Sequence, residues 1–138
     1  MKLDAASNNT KAGAQSEEMR MLRKVGIGIA VAAVLVRFSI FISPVDLSDL
    51  LNPFMAIVTA WVLSPIVLLG CLVARSAYWL VGLIPIAVIG NMLAYGIMTD
   101  TSSSTAALGW LFLPFYEWAF IVCVSVVLAV VTFARKMA

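Results

Sequence analysis

The sequence predicts an all-helical membrane protein, a bundle of four transmembrane helices. Hydrophobic residues make up 63% of its 138 residues, whereas charged residues make up 12%. The apolar residues collect in four stretches, at positions 25–45, 54–74, 77–98 and 108–134. A helix of about 20 residues crosses the hydrocarbon core of about 30 Å, and only a helix satisfies its own backbone hydrogen bonds there. We therefore expect four spans, with neighbouring helices antiparallel, in a lipid bilayer.

The distribution of basic residues predicts the topology. Segments 44–53 and 99–105 carry Asp46, Asp49 and Asp100 and no Lys or Arg. Short cytoplasmic segments of membrane proteins retain an excess of Lys and Arg. This asymmetry predicts that both termini are cytoplasmic, and we expect a multi-pass protein of a bacterial inner membrane. Eight of the nine basic residues fall on the predicted cytoplasmic side: Lys2, Lys11, Arg20, Arg23, Lys24, Arg75, Arg135 and Lys136.

The first 15 residues are rich in Ala, Asn, Ser and Gly and show no apolar periodicity, so we expect a disordered cytoplasmic tail. Residues 16–138 then form one transmembrane domain. Ser16 is a good N-cap, and Glu17 and Glu18 favour the positive end of a helix dipole. The first helix is therefore predicted to start in water near Ser16 and to continue into the membrane.

Small residues in the first span mark a face that another helix can approach closely. Gly26 with Ala30, and Gly28 with Ala32, are pairs spaced four residues apart. Two interpretations stay open for these pairs: packing inside the bundle, or the seam of a homodimer.

The connections between spans are short and carry capping residues. Asn52 is predicted to cap the second span, whose first turn accommodates Pro53. Little more than Arg75 and Ser76 joins the second and third spans, which predicts a tight hairpin. Thr105 is the predicted cap of the fourth span.

Ionisable residues inside the spans predict a polar layer. A charge at mid-membrane is unfavourable by about 2.5–3.5 kcal/mol on insertion scales, so Arg37 and Glu117 need compensation. Counted at about 1.5 Å per residue from the basic side, Arg37, Trp61, Asn91 and Glu117 lie at depths of about 20, 21, 23 and 27 Å. We expect Arg37, Asn91 and Glu117 to face the bundle interior, with Trp61 at the same level.

Two sets of partners for Arg37 stay open. Arg37 and Glu117 can form a charge-assisted hydrogen bond, although their side chains lean apart along the membrane normal. Alternatively, Pro65 cannot donate a backbone hydrogen bond, which frees the carbonyl of Trp61 four residues earlier. Arg37 would then bind that carbonyl and Asn91, and Glu117 would lie near the outer interface. Helix-to-helix attachment and an ion or proton relay are the two roles for this layer.

Aromatic residues concentrate around Pro114 in the fourth span. They fit a belt at the level of the lipid headgroups. They equally fit a contact surface for a partner, because aromatic residues are enriched in the cores of interfaces. The candidate outer-face contact residues are Trp110, Phe115, Tyr116, Trp118, Asp46 and Asp49.

Several function classes find no support in the sequence. The chain has no histidine, no nucleotide-binding loop and no nucleophile placed beside a base, so we expect neither an enzyme nor a bound cofactor. Cys71 and Cys123 are predicted to lie at different depths, which predicts neither a disulfide nor a metal site. Topology accounts for the basic residues, and nucleic acid is therefore not an expected partner.

The remaining classes act within the membrane. We expect a protein that works through protein–protein contacts, either an accessory subunit of a membrane complex or an immunity protein against a membrane-acting toxin. The overall plan resembles the small polytopic immunity proteins of bacteria, a likeness of architecture that transfers no residue. The alternative is a small homo-oligomeric transporter or channel using Arg37, Asn91 and Glu117. Small multidrug-type transporters also have four spans, but their carboxylate lies in the first span rather than the fourth.

Overall fold

A computed structural model describes residues 2–43, 48, 52–99 and 105–137, and side chains within 13–43, 48, 52–99 and 108–137. Helix α1 covers Lys2–Ile42 and α2 covers Pro53–Arg75. The third span is divided into several helical pieces that include α3, Leu80–Pro85, and α4, Asn91–Thr99. Helix α5, Thr105–Met137, is the fourth span.

Within the described residues, four helical stretches are long and apolar enough to cross a membrane. They are Gly13–Ile42, Pro53–Arg75, Ala77–Thr99 and Leu108–Met137. Each contains most of one predicted span, so the prediction of an all-helical protein with four candidate membrane spans is confirmed. A lipid bilayer is the environment that such helices require.

The structure differs from the sequence expectation at the N-terminus. Helix α1 begins at Lys2, so residues 2–15 are helical where a disordered tail was expected. Ser16 lies inside the helix and donates its hydroxyl to the Gly13 carbonyl at 2.8 Å instead of capping a helix start. Elongating an existing helix avoids the cost of nucleation, and the Ala and Lys residues of this segment favour helix, whereas its Asn, Ser and Gly residues do not. Elongation from the first span therefore accounts for a longer helix than apolar periodicity indicates.

Asn52 caps α2 as predicted. Its side-chain oxygen accepts a hydrogen bond from the Phe54 backbone N–H at 3.0 Å, and Pro53 occupies the first turn. Helix α2 ends at Arg75, Ser76 is extended, and the next helical turn starts at Ala77. The predicted short connection between the second and third spans is thus confirmed.

The third span changes its winding near its middle. A short 3-10 turn, Ala77–Trp79, precedes α3, and a π turn, Ile86–Gly90, separates α3 from α4. The π turn follows Pro85, which lacks the N–H that an α-helix would use at that position. One extra residue in a turn rotates the following residues by about 100° relative to a regular helix. The irregular turn therefore determines which way Gly90 and Asn91 face.

Among the side chains that the structure describes, two clusters of buried apolar residues form the core. The Leu69 cluster consists of Ala30, Ala33, Ile66, Leu69, Val73, Leu83, Ile86 and Ile121. The Phe41 cluster consists of Phe41, Val62, Ala94, Trp110 and Leu113. The Leu69 cluster lies toward the end of the bundle that contains Arg75, which we call the basic end.

Small residues allow α1 to approach α2 and α3. A Cβ atom at Gly26 would overlap Val73 and lie 2.8 Å from Leu80, and one at Gly70 would lie 3.0 Å from the Ala30 methyl group. The Gly26 and Ala30 pair is therefore part of the internal packing. Gly28 has nothing within 4 Å of a Cβ position, so it lies on the outer surface of α1.

Candidate functional site

The centre of the bundle contains a buried ion pair between α1 and α5. Arg37 is 0% exposed and Glu117 is 5% exposed. Arg37 Nη1 donates a hydrogen bond to Glu117 Oε2 at 2.7 Å and lies 2.7 Å from Oε1. The sequence left two sets of partners open for Arg37. In the structure, Arg37 pairs directly with Glu117. The long side chains of Arg37 and Glu117 span the difference in depth that was estimated by counting residues along the helices.

Asn91, the first residue of α4, holds Arg37 from the third span. The Asn91 carbonyl oxygen accepts from Arg37 Nε at 2.9 Å, and its amide nitrogen donates to the Ala33 carbonyl at 3.3 Å. These bonds define the orientation of the amide, because the reverse orientation would direct an N–H group at the guanidinium. Asn91 thus binds α1 at two points that are one helical turn apart. Three spans meet at Arg37.

Gly90 provides the space that the ion pair occupies. A Cβ atom built there would overlap Glu117 Oε1 and lie 2.5 Å from Arg37 Nη2. Any other residue at this position would displace one of the two charged groups. Sequence reasoning did not single out Gly90. A glycine beside Asn91, at the depth of two charged residues, was the signal that could have identified it.

Apolar residues enclose the pair from both ends of the bundle. Ala33 precedes Arg37 by one turn and Phe41 follows it by one turn. Leu113 and Ile121 have the same relation to Glu117. All four belong to the two core clusters, two to each. The charged groups therefore lie in a layer about one helical turn thick, between two apolar layers.

Two buried polar atoms of the pair lack a hydrogen-bond partner among the described residues. They are Arg37 Nη2 and Glu117 Oε1. Both lie against Gly90, on the side where its missing side chain would be. Glu117 Oε1 still keeps its ion-pair contact with Arg37 Nη1 at 2.7 Å, so the cost of an unsatisfied buried group, about 1–3 kcal/mol, applies mainly to Arg37 Nη2. The pair therefore combines strong attraction with incomplete hydrogen bonding.

A second polar connection joins α2 to α5 through two indole rings. Trp61 Nε1, on α2, donates to the Leu111 carbonyl of α5 at 3.3 Å. In the opposite direction, Trp118 Nε1 donates to the Ser64 hydroxyl at 3.3 Å. The Phe115 ring packs edge-on against Trp61, with centroids 5.0 Å apart. Each helix thus supplies one tryptophan N–H to the other.

The Trp61 carbonyl has a local partner rather than Arg37. Ser64 donates its hydroxyl to this carbonyl at 2.8 Å. Pro65, the next residue, supplies no backbone N–H to it, as the sequence predicted. The freed acceptor is thus satisfied within α2. Trp61 contributes to the layer through its indole N–H.

The aromatic candidates of the fourth span separate into buried and surface groups. Trp110 is 7% exposed and packs edge-on against Phe41, with centroids 5.3 Å apart. The Trp110 ring fills the space between α1 and α5, so Trp110 is buried where an outer contact residue was expected. Trp118 is half-buried. Phe115 and Tyr116 lie on the surface, where Tyr116 is 73% exposed. Asp46 and Asp49 lie outside the described residues.

A shallow notch reaches the ion pair from the side of the bundle. It has a volume of about 150 Å³ and lies between the third span and α5. Gly90 and Glu117 form its floor, and Leu93 and Phe120 contribute to its apolar walls. The notch opens on the surface that would face lipid.

Within the described part of the chain, no three His, Cys, Asp or Glu side chains form a cluster that could hold a metal ion. Cys71 and Cys123 are free thiols on the surface. Comparison of the chain with protein-family models, curated proteins and solved structures finds no match. The geometry of the site can attach three spans to one another at a fixed register.

Proposed function

We propose that this chain is a small multi-pass membrane protein that acts by binding another membrane protein through its spans. It serves either as an accessory subunit of a membrane complex or as an immunity protein against a membrane-acting toxin. The proposal includes no catalytic role. It places the protein in a bacterial inner membrane, with antiparallel neighbouring helices and both termini in the cytoplasm, on the basis of the basic residues at one end.

A surface groove between α1 and α2 is the observation that carries this proposal. It has a volume of about 380 Å³, and its lining contains no charged residue. Ala30 and Gly70 meet at its floor, where the two helices approach closely. Val31 and Cys71 stand at its exposed edges. In membranes, helices associate by close packing over small residues, so a partner helix fits such a groove.

The ion pair supports the same proposal. A partner-binding surface needs its helices in a fixed register, and Arg37 connects α1 to both α4 and α5. The indole bonds of Trp61 and Trp118 connect α2 to α5. The polar groups at the centre are thus engaged with one another, and the outer surface remains available to partners.

Site-specific photocrosslinking in native membranes tests the proposal. A photoreactive amino acid replaces Val31 in the groove, and a matched variant carries it at Val127, which is exposed on α5 outside the groove. We expect one discrete adduct with a membrane protein from position 31 and none from position 127. Replacing Cys71 by Trp, which fills the groove from its exposed edge, should abolish that adduct. Equal labelling at both positions, or no protein adduct at position 31, contradicts the proposal.

A second candidate function is a small homo-oligomeric transporter or channel using Arg37, Asn91 and Glu117. The notch favours it, because Glu117 lines an opening at the lipid-facing surface. The purified protein in liposomes would then conduct protons or a substrate, and Glu117→Gln would abolish that flux. Flux that depends on Glu117, together with no adduct at Val31, would replace the interaction proposal with this one.

A further inference from the structure

A cleft separates the last part of α5 from the start of the third span at the basic end. Its volume is about 720 Å³. Tyr78 and Trp79 line one wall, and Leu128 and Ala129 line the opposite wall on α5. Arg135 and Lys136 lie at its mouth. The cleft is on a different face from the groove between α1 and α2, and nothing in the proposed function uses it.

The cleft exists because α5 diverges from the bundle. Val124 lies beside Gly82 of the third span, close enough that a Cβ atom added to Gly82 would be 3.5 Å from its Cγ1. Among described side chains, Ile121 is the last buried residue of α5. Beyond Val124 the two walls separate. The cleft therefore closes at its deep end and opens at the basic end.

The polarity of the cleft changes along its length. Ser125 and Thr132 line it, but their hydroxyls donate to the Ile121 and Leu128 carbonyls of their own helix, each at 2.7 Å. The deep part thus presents mainly aliphatic and aromatic surface. At the mouth, Arg135 and Lys136 have no acidic partner among the described side chains. The unpaired positive charge is therefore confined to one end.

The length of the cleft corresponds to one leaflet of a bilayer. Ser125 and Lys136 are eleven residues apart, which is about 16 Å along a helix. One leaflet of the hydrocarbon core is about 15 Å deep, half of about 30 Å. An apolar cleft of this depth with two cations at its mouth matches an acyl chain attached to an anionic headgroup. Basic pockets between transmembrane helices bind such headgroups in other membrane proteins.

We propose that this cleft is a binding site for one anionic phospholipid. The phosphate of its headgroup lies between Arg135 and Lys136. One acyl chain extends along Leu128 and Ala129 and packs against Trp79. The lipid fills the space that α5 leaves open and so attaches α5 to the third span at the basic end.

Native mass spectrometry of the full chain tests the site. The protein is delipidated in mild detergent and titrated with phosphatidylglycerol or phosphatidylcholine. We expect one tightly bound phosphatidylglycerol per chain and no comparable binding of phosphatidylcholine. Two cations near the membrane surface contribute about 1 kcal/mol each, so R135Q/K136Q should weaken phosphatidylglycerol about 30-fold. R20Q/R23Q, which removes two exposed cations on α1 outside the cleft, should leave the affinity unchanged.

A second pair of variants tests the apolar part. Ala129→Trp fills the cleft, whereas Val127→Trp adds the same ring to an exposed position outside it. We expect only Ala129→Trp to lose the lipid, with both variants retaining their helical circular dichroism. Glycerol phosphate, the headgroup without chains, should not displace the lipid.

Four results would overturn the site. They are equal binding of both lipids, equal weakening by R20Q/R23Q, unchanged binding by Ala129→Trp, and displacement by glycerol phosphate. The last would indicate a site for free phosphate. A dimer that Ala129→Trp dissociates, observed in place of bound lipid, would identify a second copy of the chain as the occupant instead.

Discussion

Replacing the two charged residues singly and together gives the strongest test of the ion pair. In Glu117→Leu, the Arg37 guanidinium stays buried with only the Asn91 side-chain oxygen as a hydrogen-bond acceptor. In Arg37→Met, the Glu117 carboxylate loses its donor. Removing one partner of a buried pair costs about 3–5 kcal/mol, so each single variant should lose that amount of unfolding free energy.

The double variant R37M/E117L should be far more stable than the sum of the two losses. Independent effects would add to about 6–10 kcal/mol. With both charges removed, however, no buried charge lacks a partner. The remaining loss is the Asn91 oxygen without its donor, about 1–3 kcal/mol. The expected coupling energy is therefore at least about 3 kcal/mol.

Reversible unfolding in mixed lipid and SDS micelles measures these free energies, with helical circular dichroism as the readout. The matched control is a cycle on two exposed neighbours, Val36→Met and Tyr116→Leu, which should change stability little and additively. Additive losses in the R37M/E117L cycle would refute the reasoning, because they would mean that the two charges do not depend on each other.

Three further predictions use the same unfolding assay. Gly90→Ala should lose about 1–3 kcal/mol of unfolding free energy because its methyl group displaces the ion pair. The control Gly96→Ala, with open space around it, should lose nothing. Equal effects of the two variants would contradict the packing at Gly90. Asn91→Leu should lose about 1–3 kcal/mol, since it removes the acceptor of Arg37 Nε, and no loss would show that this bond contributes nothing. Trp118→Phe should lose about 0.6 kcal/mol, the average for a hydrogen bond between membrane helices, while Tyr116→Phe on the surface should be neutral; a neutral Trp118→Phe would disprove the indole bond.

Membrane physics made much of the fold predictable from the sequence. Long apolar stretches have few alternatives to spanning helices, and the described part of the chain contains four of them. The insertion cost of Arg37 and Glu117 indicated buried positions near the same depth, and both are buried. In each case one strong constraint allowed little choice. The packing partners of uncharged residues were not constrained in this way, because burying or exposing them in lipid carries no comparable cost.

The details of the site depended on three-dimensional features that no local pattern encodes. Depths counted along straight helices left the partner of Arg37 open, because the count ignores tilt and the extra residue of the π turn before Asn91. Trp110 was assigned to the outer face, since aromatic composition does not reveal which side of α5 meets Phe41. Gly90 was missed because it contributes by having no side chain, which leaves space for the charged pair.

The central claim is that Arg37 and Glu117 are in direct contact within the bilayer. Solid-state NMR on the protein in lipid bilayers measures the dipolar coupling between the 13C-labelled side-chain carboxyls of glutamate and the 15N-labelled guanidinium nitrogens of arginine. We expect a coupling that corresponds to a separation of less than about 4 Å, the range of an ion pair, and we expect it to disappear in Glu117→Leu. A spectrum without that coupling, or one that Glu117→Leu leaves unchanged, would contradict the account.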